Sequence, residues 1–148
     1  MLIYMAYIKY LILFILIGCG ADKLDFPEFS TDEDYSFYLN QFKDDYYRFT
    51  GVEINQEVPL HLTDTALNET NSPGQCLSFK RSKFVYVSIN KARWDTMSDN
   101  YKKTLVYHEL GHCLLGLEHG EGGPIMNSSL SPSFFVEEWH LKELFSFR

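Results

Sequence analysis

The chain has 148 residues, 45% of them hydrophobic and 16% aromatic, which is enough to bury one core of ordinary domain size. Its 13 basic and 20 acidic residues leave a net charge of −7. That balance argues against a nucleic-acid partner and names no substrate.

Residues 1–17 are almost entirely apolar or aromatic, with Lys9 the one charge, and the uninterrupted apolar run of residues 10–17 is too short to cross a bilayer alone. The segment reads as a signal peptide over residues 1–18. Leu16-Ile17-Gly18-Cys19 resembles the cleavage box of bacterial lipoproteins, which implies that Cys19 becomes the lipid-bearing first residue. An uncleaved signal anchor extending through Lys9 is the other reading. Gly20 after the cysteine implies, by the same resemblance, an outer-membrane destination in a bacterial envelope. Loss of Lys9 with the leader would take the net charge from −7 to −8.

Residues 19–33 follow as an acidic tether; residues 22–34 hold six acids against one lysine and one proline. The folded domain is expected over 34–148. A first helix is predicted over 34–49, where Tyr35, Tyr38, Leu39, Phe42, Tyr46 and Phe49 recur at three and four to form an apolar stripe, and Thr50-Gly51 ends it. Residues 58–62 alternate as a short strand, with His61 pointing away from Leu60 and Leu62 as a surface residue. Residues 63–75 have the composition of a loop. The strongest strand pattern is 84–90 (FVYVSIN), as either an edge or a central strand.

A connection containing Trp94 leads to a helix over 100–115, capped by Ser98 or Asp99. Tyr101, Leu105, His108 and His112 share one face of it; Val106, Leu110, Cys113 and Leu117 form an adjoining apolar face. Residues 108–126 read HELGHCLLGLEHGEGGPIM. His-Glu-x-x-His on a helix sets two imidazoles about 40° apart and about 6 Å along the axis, so His108 and His112 can reach one ion while Glu109 stays free to move a proton. In an unbroken helix His119 would lie about 10.5 Å beyond His112. Gly116 can end the helix in the left-handed conformation and turn the chain back. After a turn at 127–132, residues 133–147 are expected to form a last amphipathic helix.

His-Glu-x-x-His, then Gly-x-x-His, then a tight turn carrying methionine resembles the metzincin clan of zinc metalloproteases, with Pro124-Ile125-Met126-Asn127 similar to its Met-turn. Within that clan the HELGHC core, the short chain and the lipoprotein-like start resemble small metalloproteases of bacterial envelopes. The specific match covers about 20 of the 148 residues. It implies an α+β, zincin-like single domain: a twisted sheet packed on the first helix and the active-site helix, closed by a C-terminal helix. It also implies Zn2+ on His108, His112 and His119, Glu109 as the catalytic base, Met126 packed beneath the metal, and a peptide or protein as substrate of a lipid-anchored monomer.

Two departures bear on this. Three residues, Cys113, Leu114 and Leu115, separate His112 from Gly116 where the clan has two, so strict register would put the third ligand on Glu118. His119 keeps the distance from turn to ligand and is preferred; Glu118 stays open. Ser128 stands where some branches carry a tyrosine that supports the transition state. A thermolysin-like scheme, with Glu137, Glu138 or His140 from the last helix as third ligand, is a further alternative. So are an inactive zinc-binding lipoprotein and a structural lipoprotein without metal. Cys76 and Cys113 can form a disulfide that ties the active-site helix to the preceding segment, or remain two buried thiols.

Overall fold

A computed structural model describes residues 27–65, 72–78 and 83–147 of the chain. The expected signal peptide, Cys19 and the first part of the tether lie outside the described residues. No helix among the described residues is long and apolar enough to cross a membrane.

Helix α1 runs Glu33–Thr50. Asp32 caps it by accepting from the Tyr35 amide at 2.9 Å, and its other carboxylate oxygen accepts from the Trp94 indole at 3.1 Å. Gly51, at φ 70°, stops the helix in the left-handed conformation. Tyr35, Tyr38, Leu39, Phe42 and Tyr46 are buried, as their spacing predicts. The packed domain begins before residue 34. Ser30 donates its amide to Leu60 O at 2.7 Å, and the Phe29 ring lies 5.7 Å from those of Phe84 and Tyr86. The tether's acidic composition conceals this anchorage, which rests on one aromatic ring and one backbone pair.

The sheet has three strands, β1 (Leu60–Thr63), β2 (Gly74–Ser78) and β3 (Val85–Asn90), in the order β1-β3-β2. β1 runs parallel to β3, pairing Leu60 with Val87, and β2 runs antiparallel, pairing Cys76 with Val87. β3 is therefore the central strand. β1 starts two residues later than its pattern suggests, although the Pro59 carbonyl still accepts from the Val87 amide at 3.0 Å. His61 is half-buried rather than a plain surface group: its Nδ1 sits 3.1 Å from Ser88 Oγ, because Ser88 on the central strand is itself covered. β2 falls partly in the segment expected to be loop. Gly-Gln-Cys-Leu-Ser lacks the alternation of a strand, and pairing with β3 makes it one.

After a short helix α2 (Lys91–Trp94), helix α3 spans Asp99–Leu115, capped by Ser98, whose hydroxyl accepts from the Tyr101 amide at 3.4 Å. It lies between α1 and the sheet, packing on both. Leu105, Val106, Tyr107 and Leu110 are therefore all buried, and the Tyr107 hydroxyl reaches Asp45 Oδ2 at 2.7 Å. A 3-10 turn, Pro124–Met126, precedes the last helix, α4 (Glu138–Ser146). α4 is shorter than expected. The Glu137 amide donates to His140 Nδ1 at 2.9 Å while the Glu137 side chain takes an amide of the first turn, so this capping box starts the helix at 138. α4 packs on α1 and the 3-10 turn, with Phe42 meeting Tyr107 at 5.2 Å and Phe145 at 5.3 Å edge to face. Cys76 and Cys113 form a disulfide with Cα atoms 5.5 Å apart, which joins β2 to α3. The whole is a small α+β domain of one three-stranded sheet and four α-helices among the described residues.

Candidate metal centre

α3 carries His108 and His112 one turn apart, and its C-terminus brings a third imidazole to them. Gly116 adopts φ 67°, and the amides of Gly116 and Leu117 both return to Gly111 O, closing the helix. Leu117 is then buried and anchors the start of the loop. Farther on, the Gly120 amide bonds Met126 O at 2.9 Å, which ties the loop to the 3-10 turn. His119 lies between these two anchors.

Nε2 of His108 is 3.2 Å from Nε2 of His112 and 3.2 Å from Nε2 of His119. Three nitrogens at about 2.05 Å from a tetrahedral ion would be spaced about 3.3 Å apart, so the donor set fits a zinc-sized cation. The tautomers agree. His108 Nδ1 lies 2.7 Å from Ile125 O and His112 Nδ1 lies 2.5 Å from Leu117 O. Carbonyl oxygens only accept, so both Nδ1 atoms carry the proton, and in neutral rings both Nε2 atoms present lone pairs to the shared centre. Between two acceptors at that distance only a cation or an extra proton is attractive. Burial, assisted by the other two imidazoles and opposed by the Ile125 carbonyl, holds the His108 ring down to about 4, so the extra proton is unfavourable there at neutral pH.

Glu109 stands beside this cluster without belonging to it. It is buried, and burial pushes its carboxyl up to about 8, against a backbone hydrogen bond from Cys76 that favours the charged form. A carboxyl poised near neutral pH can both take and return a proton. Met126 is fully buried against Gly111, where an added Cβ would come within 3.1 Å of Met126 Cε and closer still to its sulfur. The missing side chain lets the sulfur-bearing turn press directly on α3 between the two histidines.

A cleft of about 760 Å³ opens over the cluster, with Ser72, Gly74, Cys76, Tyr101, Ser128 and Leu130 in its lining. Glu118 borders this cleft but contributes no atom to the cluster, and its amide is taken by Glu121 at 2.7 Å. The last helix supplies none either: Glu138 pairs with Arg48 at 2.8 Å, Glu137 takes the Trp139 indole at 2.6 Å, and His140 caps α4. The sequence pattern offers Cys76 as a possible disulfide partner of Cys113, but gives no sign that Gly74 and Cys76 are the β2 residues next to Glu109. Their role depends on a strand whose composition reads as loop.

The family model described as Putative phage metallopeptidase matches residues 64–134, 71 of the 148. The matched stretch holds β2, β3, α3, all three converging imidazoles and the 3-10 turn, and over it the chain is metallopeptidase-like. No curated protein and no solved structure matches the chain.

Proposed function

We propose that this protein is a zinc-dependent peptidase of the metzincin-like type, with His108, His112 and His119 as ligands and Glu109 as general base. The convergence of three Nε2 atoms on one point, with a buried carboxyl alongside, carries the reading. The likeness of residues 64–134 to a metallopeptidase family supports the choice of peptide bonds. Zinc, when bound, supplies a Lewis acid for the scissile carbonyl and acidifies a water. Ile125 and Leu117 hold the ring tautomers that leave Nε2 free to ligate. Glu109 takes the proton of the attacking water and delivers it to the leaving amine. β2, as an edge strand bordering the cleft, offers an extended peptide a partner for main-chain pairing. Ser128 beside the cleft provides no phenol at that position; the phenol in the described lining of the cleft is that of Tyr101.

The same proposal places the protein in a bacterial envelope, anchored through lipid on Cys19, as a monomer acting on peptide or protein substrates. The Leu16–Cys19 box supports the anchor, and the Cys76–Cys113 disulfide suits an oxidising compartment. The test is zinc stoichiometry of the purified protein together with cleavage of casein and of quenched fluorescent peptides. One zinc per chain is expected. Glu109→Ala should keep the metal and lose turnover, whereas His119→Ala should lose the metal. A wild-type protein without zinc, or one whose cleavage survives Glu109→Ala, would refute the reading.

A further inference from the structure

Gly74, Cys76 and Glu109 meet where β2, an edge strand among the described residues, packs on α3. The Asn90 amide donates to Pro73 O at 3.1 Å, so residues 73, 75 and 77 turn their backbone groups toward β3. By the alternation of an antiparallel ladder, the groups of Gly74 and Cys76 point away from β3, to the open edge. On that side the Cys76 amide faces the Glu109 carboxyl and favours its charged form. A Cβ at Gly74 would lie 2.9 Å from Glu109 Oε1, 3.2 Å from its Cγ and 3.1 Å from Leu105 Cδ1. Gly74 has no positive φ, so its backbone would accept alanine. The carboxyl occupies the space. The next tie is covalent: Cys76 is bonded to Cys113, the residue after His112.

We propose that β2 positions Glu109: Gly74 by leaving room for the carboxyl, Cys76 by donating its edge amide, and the Cys76–Cys113 bridge by holding the strand at that distance. Gly74 and Cys76 are thus positioning residues. An edge amide that an incoming peptide could have used is assigned to the base instead. A peptide pairing with β2 must engage other groups of the edge or compete with Glu109 for this one. The role of Glu109 as base rests on the function proposed above, but the geometry does not.

Amide hydrogen exchange on the full chain tests the proposal without any reference to activity. In Glu109→Ala the Cys76 amide should exchange about tenfold faster than in wild type, as one charge-assisted hydrogen bond is lost, while the Leu77 amide, directed at β3, keeps its rate. Equal Cys76 rates in the two proteins would overturn the proposal. A thermal cycle gives the second arm. Gly74→Ala should lower Tm by about 5 °C in wild type and by less than half of that in Glu109→Ala, where the overlapping carboxyl is gone. Equal losses in both backgrounds would overturn it. Should Gly74→Ala not fold, the exchange measurement decides. With zinc bound, Gly74→Ala should retain one metal per chain and an unchanged KM while kcat falls about tenfold, as expected of a misplaced base; an unaltered kcat would count against the proposal. If wild type shows no turnover, the peptidase reading fails, while exchange and melting still decide the positioning.

Discussion

Replacing Gly111 by alanine sets two effects of opposite sign against each other. In an open helix interior alanine is favoured over glycine by about 1 kcal/mol, so propensity alone predicts stabilisation. Gly111 lies well inside α3, but its Cβ would overlap the Met126 sulfur, approach Met126 Cε to 3.1 Å and touch Leu144 Cδ1 at 3.7 Å. Met126 and Leu144 are both 0% exposed, so neither can swing into solvent to relieve the overlap. Overpacking a closed core costs about 1–3 kcal/mol, and overlap at a mid-chain atom belongs at the upper end. The net loss is then about 2 kcal/mol, or roughly 8 °C in Tm for a domain of this size. Displacement of the 3-10 turn would also shift Ile125 O, the partner of His108 Nδ1, and a lost outer partner lowers metal affinity about 10-fold or more. Calorimetric melts of metal-free protein and competitive zinc titration read the two effects separately. In a Met126→Ala background the same substitution should lower Tm by less than it does in wild type, since the overlapping sulfur is gone. A Gly111→Ala protein that melts at or above wild type would refute the reasoning.

The pH dependence of metal-stripped protein has a defined sign. Folded Glu109 keeps its proton up to about 8 where the unfolded chain releases it near 4.5, so this group makes stability fall as pH rises between those values. Folded His108 refuses a proton until about 4 where the unfolded chain accepts one near 6.5, so it acts in the opposite sense between 6.5 and 4. The two offset each other between 4.5 and 6.5, leaving a decline in Tm from pH 6.5 to 8 that Glu109→Gln should abolish; the same decline in that variant would contradict the assignment. Reduction of the Cys76–Cys113 bridge, which spans 37 residues, should cost up to about 4 kcal/mol in the chain-entropy account, and an unchanged denaturant midpoint under reductant would count against it. Asp32→Ala removes both the α1 cap and the acceptor of the Trp94 indole, and should lower stability by about 2 kcal/mol in urea unfolding; a loss below about 0.5 kcal/mol would show that water replaces both bonds.

Much of the site is local in the chain. His108, Glu109 and His112 follow from the helical period, and the reversal at Gly116 follows from the one residue type that accepts φ 67° without cost. α1 and β3 were equally legible, since each carries its periodicity within its own length. β2 was not. Its five residues have no pattern of their own, and they form a strand because β3 offers backbone groups on that side. The start of α4 was missed for a related reason: the apolar residues at 134–136 suggest a continuing helix, yet a side-chain capping box at 137 sets the boundary.

Residue pattern alone thus sets the spacing of two imidazoles and a carboxyl on one helix, and the point where that helix breaks. Long-range packing sets the rest. His119, and not Glu118, turns inward because Leu117 is buried and Gly120 is tied to Met126 O; the rings point Nε2 inward because Ile125 O and Leu117 O occupy their other nitrogens. Glu109 packs against a strand more than 30 residues before it, where Gly74 leaves room for its carboxyl. Those partners are distant in sequence or fixed by backbone groups, and backbone groups are the same in every residue, so side-chain pattern carries no record of which ones will meet.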